Sequence, residues 1–264
     1  MTGGAYLANA AGCETCHTDK EHGGRRYAGG RALTTPFGIY YSPNITPDPE
    51  TGIGRWTDAQ FLTALHEGVA PDGANYFPVF PYPSFTGITD DDALAIKAYL
   101  FSLPPVRQTN RRHDASFPFS SRFLVSVWKL LYFEPGTFQP RPDRSAEYNR
   151  GDYLVTALAH CGECHTPRNW LGAMEEGAFL SGTRSGPDGK KVPNITPDTT
   201  TGIGKWSEDD IVNLLKDGQT PDFDFVGGAM HEIVDDTARL TDADRRAIAV
   251  FLKSVPPKPF GGKE

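Results

Sequence analysis

The sequence lacks three features, each of which would define a class of protein. No run of apolar residues approaches the roughly 18 that a membrane-spanning helix requires, so we expect no such helix in this chain. Positive charge is not in excess: 26 Lys and Arg stand against 33 Asp and Glu, and the net charge of −7 argues against nucleic acid as the main partner. The opening residues have neither a basic start nor a long apolar stretch, so we expect any export signal to have been removed.

What the sequence does contain is an internal repeat. The segment NITPDPETGIGRWT at 44–57 returns as NITPDTTTGIGKWS at 194–207, an offset of 150 residues. Two further segments repeat at offsets of 148 and 152: CETCHT at 13–18 returns as CGECHT at 161–166, and 89–105 returns at 241–257. Because the offset drifts so little, the two halves are predicted to be copies of one domain.

Helix signals agree between the two copies. Thr57 with Gln60, and Ser207 with Asp210, are N-cap pairs that open a helix in each half. A last helix in each half starts after a capping threonine and is ended by a double proline: Thr89 with 104–105, and Thr241 with 256–257. There is little strand signal. The sequence therefore predicts an all-α protein, with a first domain over 1–106, a linker over 107–147 and a second domain over 148–264.

The linker has no counterpart in the repeat. It contains the run FLVSVWKLLYF at 123–133, which predicts a helix of about three turns that is apolar on most faces and too short to span a membrane. Two interpretations remain open at this point. The helix is either a connector packed into the crevice between the domains, or an exposed face that docks on a partner or a membrane surface.

Each repeat carries two cysteines one helical turn apart and followed by a histidine, the pattern of covalent haem attachment. A zinc site would need four converging ligands, which would join two separate domains. A redox dithiol or a disulfide gives no reason for a histidine after both pairs. We therefore predict two covalently bound haem c groups. The predicted attachment residues are Cys13, Cys16, Cys161 and Cys164, and the predicted iron ligands are His17 and His165.

The sixth iron ligand is predicted to differ between the copies. Met230 lies in a glycine-rich loop before the last helix of the second copy, and it is predicted to ligate the second iron, with the neighbouring His231 as the reserve. Residues 2–173 contain no methionine. The first haem must then take a histidine, borrow a ligand from the linker or the second domain, or stay five-coordinate. The candidate histidines are His22, His66 and His113.

Two further pairs of matched residues are candidates for contact with the cofactor. Trp56 and Trp206 precede a helix in each copy, where an indole can donate to a haem propionate or simply fill the core. Asn44 and Asn194 begin the long repeated segment, and they are predicted to wrap the cofactor or to stabilise their own turns through side-chain to backbone hydrogen bonds.

These segments make the sequence similar to the cytochrome c subunits of bacterial membrane-associated alcohol, gluconate and aldehyde dehydrogenases. The matching stretches also include TPFG at 35–38, FPYPSFT at 80–86 and CGECHTPRNWLG at 161–172. The resemblance implies two tandem class I cytochrome c-like domains joined by a partly helical linker. It also assigns the cysteines, His17, His165 and Met230 to the two haems. Family members often carry a methionine in or near the first FPY segment, where this sequence has Phe80 and Ile88.

The function that the resemblance implies is electron transfer in the periplasm. Such a subunit takes electrons from the catalytic subunit of a dehydrogenase and passes them to a cytochrome, a quinone-reactive subunit or an oxidase. No catalytic nucleophile or acid–base pair is visible in the sequence. The alternatives are a dihaem enzyme of the peroxidase or thiosulfate dehydrogenase type, or a gas or redox sensor. Each of these would use the methionine-lacking first haem as an open site.

Overall fold

The computed structural model describes residues 3–261, and the chain divides into two compact units, Met1–Thr137 and Phe138–Glu264. The segment without a repeat counterpart is therefore shared between the units, and most of it belongs to the first. Among the described residues, no helix has both the length and the apolar character that a bilayer crossing requires.

The first unit combines six helices with three short strands among its described residues. The helices are α1 Gly3–Ala10, α2 Cys13–Cys16, α3 Asp58–Glu67, α4 Tyr82–Phe85, α5 Asp90–Phe101 and α6 Arg122–Tyr132; the strands are β1 Ala32–Thr35, β2 Gly38–Tyr41 and β3 Asp114–Ala115. The described part of the second unit has five helices: α7 Ala146–Tyr153, continued by a π-helical turn Leu154–Leu158, then α8 Gly162–His165, α9 Glu208–Asp217, α10 Ala229–Thr237 and α11 Asp242–Ser254.

The predicted helix starts are confirmed in both units. Thr57 and Gln60 form a complete capping box at the start of α3, and Ser207 and Asp210 form the same arrangement at the start of α9. The last helix of each repeat copy, α5 and α11, is capped by the hydroxyl of the predicted threonine, which accepts from the backbone N–H three residues ahead. These local signals are strong because an N-cap oxygen satisfies a backbone donor that the helix itself leaves unpaired.

In each copy of the repeat the first helix packs against the last helix at a glycine. A Cβ atom built on Gly4 would lie 2.0 Å from the carbonyl oxygen of Ala95 in α5, and one built on Gly151 would lie 1.9 Å from the carbonyl oxygen of Ala247 in α11. Only a residue without a side chain permits such close contact between two helix backbones. This matched pair was not predicted, although both glycines are visible at equivalent positions in the repeat.

The prediction of an all-α fold is wrong. Strands β1 and β2 form an antiparallel hairpin with Thr35 opposite Gly38, and β3 adds to its edge with Ala115 opposite Gly38. The hairpin sequence ALTTPFGIYY is rich in the β-branched and aromatic residues that favour strands. Its strands are only four residues long and partly exposed, so they show no clear alternation of apolar and polar residues. In the described part of the second unit, the matching region has only the isolated bridge Thr183↔Val192.

The sheet explains how α6 is held in the first unit. Tyr40 of β2, Phe77 and Val125 of α6 form a small buried cluster, with partly buried apolar residues of β1 and β3 packed around it. The opposite face of α6 exposes most of its apolar side chains. Both interpretations of this helix stay predictions.

Candidate functional site

The first cysteine pair lies on a single helical turn. Cys13 and Cys16 are the ends of α2, and His17 is its C-cap residue, with a backbone N–H that donates to the carbonyl of Cys13. Gly12 enters this turn in the left-handed conformation, with φ of 62°, which a glycine adopts without strain. In the second unit, Cys161 is the N-cap residue of α8, and Cys164 and His165 are its last two residues. None of the four cysteines forms a disulfide bond, and all four are half-buried.

The two histidines of these motifs have the same environment. Nδ1 of His17 donates to the carbonyl oxygen of Pro43 at 2.8 Å, and Nδ1 of His165 donates to the carbonyl oxygen of Pro193 at 2.9 Å. Because a carbonyl oxygen can only accept, the proton of each neutral ring lies on Nδ1. Nε2 therefore carries the lone pair that a metal requires. The two prolines precede the repeated asparagines, and no role was predicted for them from the sequence.

Burial keeps both imidazoles neutral. Desolvation lowers the pKa of His17 and of His165 below the ordinary value, and it outweighs the opposite effect of the hydrogen bond to the proline carbonyl. Burial also raises the pKa of Cys161 to about 12, with a smaller contribution from the nearby Cys164. A thiol with such a raised pKa is not the thiolate that a redox dithiol uses at neutral pH. In the second unit the arrangement therefore supports a metal-binding histidine beside the protonated thiol of Cys161.

Asn44 and Asn194 hold the repeated loops together. The side-chain oxygen of Asn194 accepts from the backbone N–H and the hydroxyl of Thr196, both at 2.8 Å. Its amide nitrogen donates to the hydroxyl of Thr201 at 2.9 Å and to the carbonyl of Lys258 at 2.7 Å. Asn44 makes the four equivalent contacts in the first unit. Four hydrogen bonds use the full capacity of each amide, which favours the structural role over polar contact with a cofactor.

Replacing Asn194 by alanine is expected to lower the free energy of unfolding of the second unit by about 2–4 kcal/mol, because buried groups of Thr196 and Lys258 lose their partner. Guanidinium denaturation of the holoprotein, followed by circular dichroism, measures this change. Asn44→Ala should have an effect of similar size on the first unit. The control is Asn213→Ala on the exposed side of α9, and an effect of Asn194→Ala no larger than that of the control would contradict the assigned role.

The two tryptophans occupy equivalent positions immediately before the N-cap residues. Trp56 precedes Thr57 and Trp206 precedes Ser207, and each backbone N–H donates to the isoleucine three residues earlier. Both side chains are half-buried. In the second unit, Nζ of Lys253 donates to the carbonyl of Trp206 at 2.7 Å, which ties this turn to α11. The structure thus fixes the backbone at both tryptophans, and contact between an indole and the cofactor stays a prediction.

Met230 is the second residue of α10 and is half-buried, whereas the reserve ligand His231 is exposed. The corresponding loop of the first unit contains α4 and has aromatic residues in place of a methionine. Tyr82 there is fully buried against the side chains of α6 and its flanking residues. Ligation of the second iron by Met230 stays a prediction.

The three candidate histidines of the first unit differ in which nitrogen is available. His22 is exposed, and its Nδ1 contacts Asp19 at 2.9 Å. Nδ1 of His113 accepts from the backbone N–H of Tyr41 at 3.1 Å, so its proton lies on Nε2 and neither nitrogen offers a lone pair to a metal. His66 lies near the end of α3 with Nδ1 at 3.6 Å from Asp90, and its buried Nε2 has no hydrogen-bond partner. This geometry disfavours His113 as a ligand and leaves His66 with a nitrogen that is not otherwise used.

The residues present fit covalently attached haem c at both motifs. Each unit supplies two cysteines without a disulfide on one turn and a neutral imidazole whose Nε2 carries the lone pair that iron requires. Within residues 3–261, no group of three or more His, Cys, Asp and Glu side chains is arranged to hold a metal ion, which argues against the zinc alternative. The iron would have to be brought to each histidine by a prosthetic group such as haem.

Comparison with known proteins agrees with this geometry. The family model described as Cytochrome c matches residues 2–104. A diheme cytochrome c-type protein of Cereibacter sphaeroides is 43% identical over 94% of this chain and 83% of its own length. The cytochrome c subunit of a quinone-dependent alcohol dehydrogenase from Gluconacetobacter polyoxogenes is 43% identical, with 97% of this chain aligned to 56% of that protein. The cytochrome subunit of a fructose dehydrogenase from Gluconobacter japonicus is 40% identical over 98% of this chain and 53% of its own length.

The chain thus covers most of the first relative but only about half the length of the alcohol and fructose dehydrogenase subunits. The match to the first relative covers 94% of this chain, so it extends over both copies of the repeat. The expected family and its covalently bound haem c cofactor are confirmed by these matches. The chain belongs to the cytochrome c family.

Proposed function

We propose that this protein is a periplasmic dihaem electron carrier that accepts electrons from the catalytic subunit of a dehydrogenase and passes them to a respiratory acceptor. The observation that carries the proposal is the duplicated site: two imidazoles are hydrogen-bonded to equivalent proline carbonyls, and each lies beside a pair of cysteines that form no disulfide. When bound, haem supplies reversible one-electron chemistry at iron. Relatives named as dehydrogenase cytochrome subunits support the donor, and the resemblance to the same subunits supports the periplasm.

The residues of this chain orient and tune the two sites. The carbonyls of Pro43 and Pro193 fix the ring orientation and the tautomer of the two ligating histidines, and such hydrogen bonds strengthen the imidazole as a ligand. Asn44 and Asn194 hold the loops that carry these prolines, so they position the histidines indirectly. Desolvation of both rings lowers their pKa and so disfavours protonation of the ligating nitrogen. These functions suit a carrier whose ligands stay in place through repeated oxidation and reduction.

The test is to isolate the holoprotein with its partner from the native host and to follow both haems by visible absorbance. Addition of the substrate of the co-purified dehydrogenase is expected to reduce both haems within the turnover time of that enzyme. The same preparation without the dehydrogenase should stay oxidised. Steady consumption of peroxide or thiosulfate by the isolated chain would contradict the proposal and favour a dihaem enzyme, whereas rapid binding of carbon monoxide without turnover would favour a sensor.

A further inference from the structure

Helix α6 is fixed to the first unit along one face. Val125 is buried in the cluster with Tyr40 and Phe77, and the ring of Trp128 meets the edge of Tyr82 at 6.5 Å with an interplanar angle of 82°. The buried aromatic contacts hold the helix in one rotational setting about its own axis.

Polar contacts at the same face strengthen this attachment. Asn75 donates to the hydroxyl of Ser126 at 2.7 Å and accepts from Nζ of Lys129 at 2.9 Å, while its carbonyl accepts from Arg122 at 3.1 Å. One asparagine thus binds three side chains on successive turns of α6. The outward face of the helix is therefore a defined surface, because the inner face cannot rotate away from the body of the unit.

The outward face is apolar. Phe123, Val127, Leu130 and Leu131 follow one another at helical spacing, and their exposed fractions are 76%, 46%, 86% and 61%. Phe117, just before the helix, is 80% exposed. Five large apolar side chains clustered in this way on one surface mark an interaction site rather than the scattered exposure that any protein shows.

Positive charge lies in the same segment as this apolar face, and Arg122 is the first residue of α6. Arg111, Arg112 and Arg122 line a surface cavity of about 330 Å³, together with Phe77, His113 and Ser120. The guanidinium of Arg111 stacks on the ring of Tyr41 at 3.8 Å, and Arg112 is exposed. Residues 107–134 contain five Lys and Arg against two Asp and Glu, a net charge of +3, whereas the whole chain carries −7. This segment therefore attracts an anionic surface that the rest of the molecule repels.

We propose that the outer face of α6 and the adjoining arginine cavity bind the surface of an anionic phospholipid bilayer. The eleven residues of α6 make a helix of about 16 Å, roughly half the thickness of the hydrocarbon core, so the helix lies in the plane of the interface. Its apolar side chains enter the boundary between headgroups and acyl chains, and the arginines bind lipid phosphates. The positive charge of residues 107–134 favours an anionic lipid surface over an uncharged one. This attachment does not depend on the electron-carrier function.

The test is co-sedimentation of the holoprotein with vesicles of pure phosphatidylcholine and with vesicles that also contain phosphatidylglycerol. Binding is expected only to the second kind, and added salt should weaken it. The double variant Phe123→Ser with Leu130→Ser is expected to bind the vesicles at least about tenfold more weakly. Two apolar side chains are then no longer transferred from water into the bilayer. Arg112→Glu is expected to weaken binding about fivefold or more. Unchanged haem absorbance shows that each variant is folded.

Matched controls distinguish binding through this surface from nonspecific adsorption to vesicles. Phe223 in the second unit is 81% exposed, so Phe223→Ser removes a comparable aromatic side chain elsewhere and should leave vesicle binding unchanged. Arg25→Glu makes the same charge change at another exposed arginine of the first unit and should have at most half the effect of Arg112→Glu. Failure of the wild-type protein to bind phosphatidylglycerol vesicles overturns the proposal.

Two other occupants of the face would also be detected. If the protein does not bind vesicles, and the haems of the double variant are reduced more slowly by the co-purified dehydrogenase, the face docks on a protein and the lipid proposal is wrong. If the protein forms dimers that the double variant abolishes, a second copy covers the face, and the lipid proposal is again wrong. Sedimentation velocity and the reduction assay measure these two outcomes on the same preparations.

Discussion

A protein in which Cys161 and Cys164 are both replaced by alanine is expected to carry one haem per chain instead of two. The paired thiols are the predicted points of covalent attachment, and His165 alone would hold the group only by a coordinate bond. Loss of the haem should also destabilise the second unit, since Nε2 of the buried His165 ring is then left without a partner, while Nδ1 keeps its hydrogen bond to Pro193. Intact mass gives the number of attached haems, and circular dichroism gives the helix content.

The matched variant is Cys13→Ala with Cys16→Ala, which should remove the other haem and spare the second unit. The two double variants together should therefore account for all of the haem in the wild-type protein. If either variant retains two covalent haems, the assignment of the cysteine pairs is wrong. If the wild-type protein and both variants have the mass of the bare chain, neither site carries a covalent haem.

Replacement of Met230 by alanine is expected to lower one of the two reduction potentials by on the order of 100 mV, because a thioether ligand stabilises ferrous iron relative to ferric iron. The other potential should stay unchanged, since the first unit has no methionine among its described residues. Potentiometric titration followed by visible absorbance resolves the two haems. The ferrous variant should also gain rapid carbon monoxide binding at the second site.

Met174→Leu is the control for this substitution. Met174 is the other half-buried methionine of the second unit, and it lies in the bridge with Arg168. Its replacement by leucine should leave both potentials unchanged, because it is not predicted to touch iron. If Met230→Ala leaves both potentials in place, Met230 is not the ligand, and His231→Ala becomes the variant to measure.

The repeat made much of the candidate site predictable. An asparagine, a threonine and a glycine that recur at a constant offset indicate matched loops, and the structure shows the four equivalent hydrogen bonds at Asn44 and Asn194. The prolines before them were missed because a backbone carbonyl has no side-chain signature. Their partners, His17 and His165, lie 26 and 28 residues away along the chain, and sequence spacing does not reveal which carbonyl a ring will meet.

The sheet could not be predicted because its stability comes from distant contacts. Four-residue strands are too short to show a period, and β3 comes from a segment without a repeat counterpart. The burial of the sheet depends on the packing of Tyr40 against Phe77 and Val125, which are far apart in the sequence. The same contacts decide which side of α6 is covered, and an apolar run alone does not show which residues stay exposed.

The sequence by itself determined the duplication, the helix caps and the chemistry of the two Cys-X-X-Cys-His motifs, because each is a local pattern in which spacing fixes geometry. Only the tertiary structure decided the ring tautomers of His17 and His165, the sheet and the exposed face of α6. These depend on which backbone carbonyl or side chain is brought against a group from elsewhere in the chain, and burial and hydrogen bonding between distant residues are properties of the folded molecule.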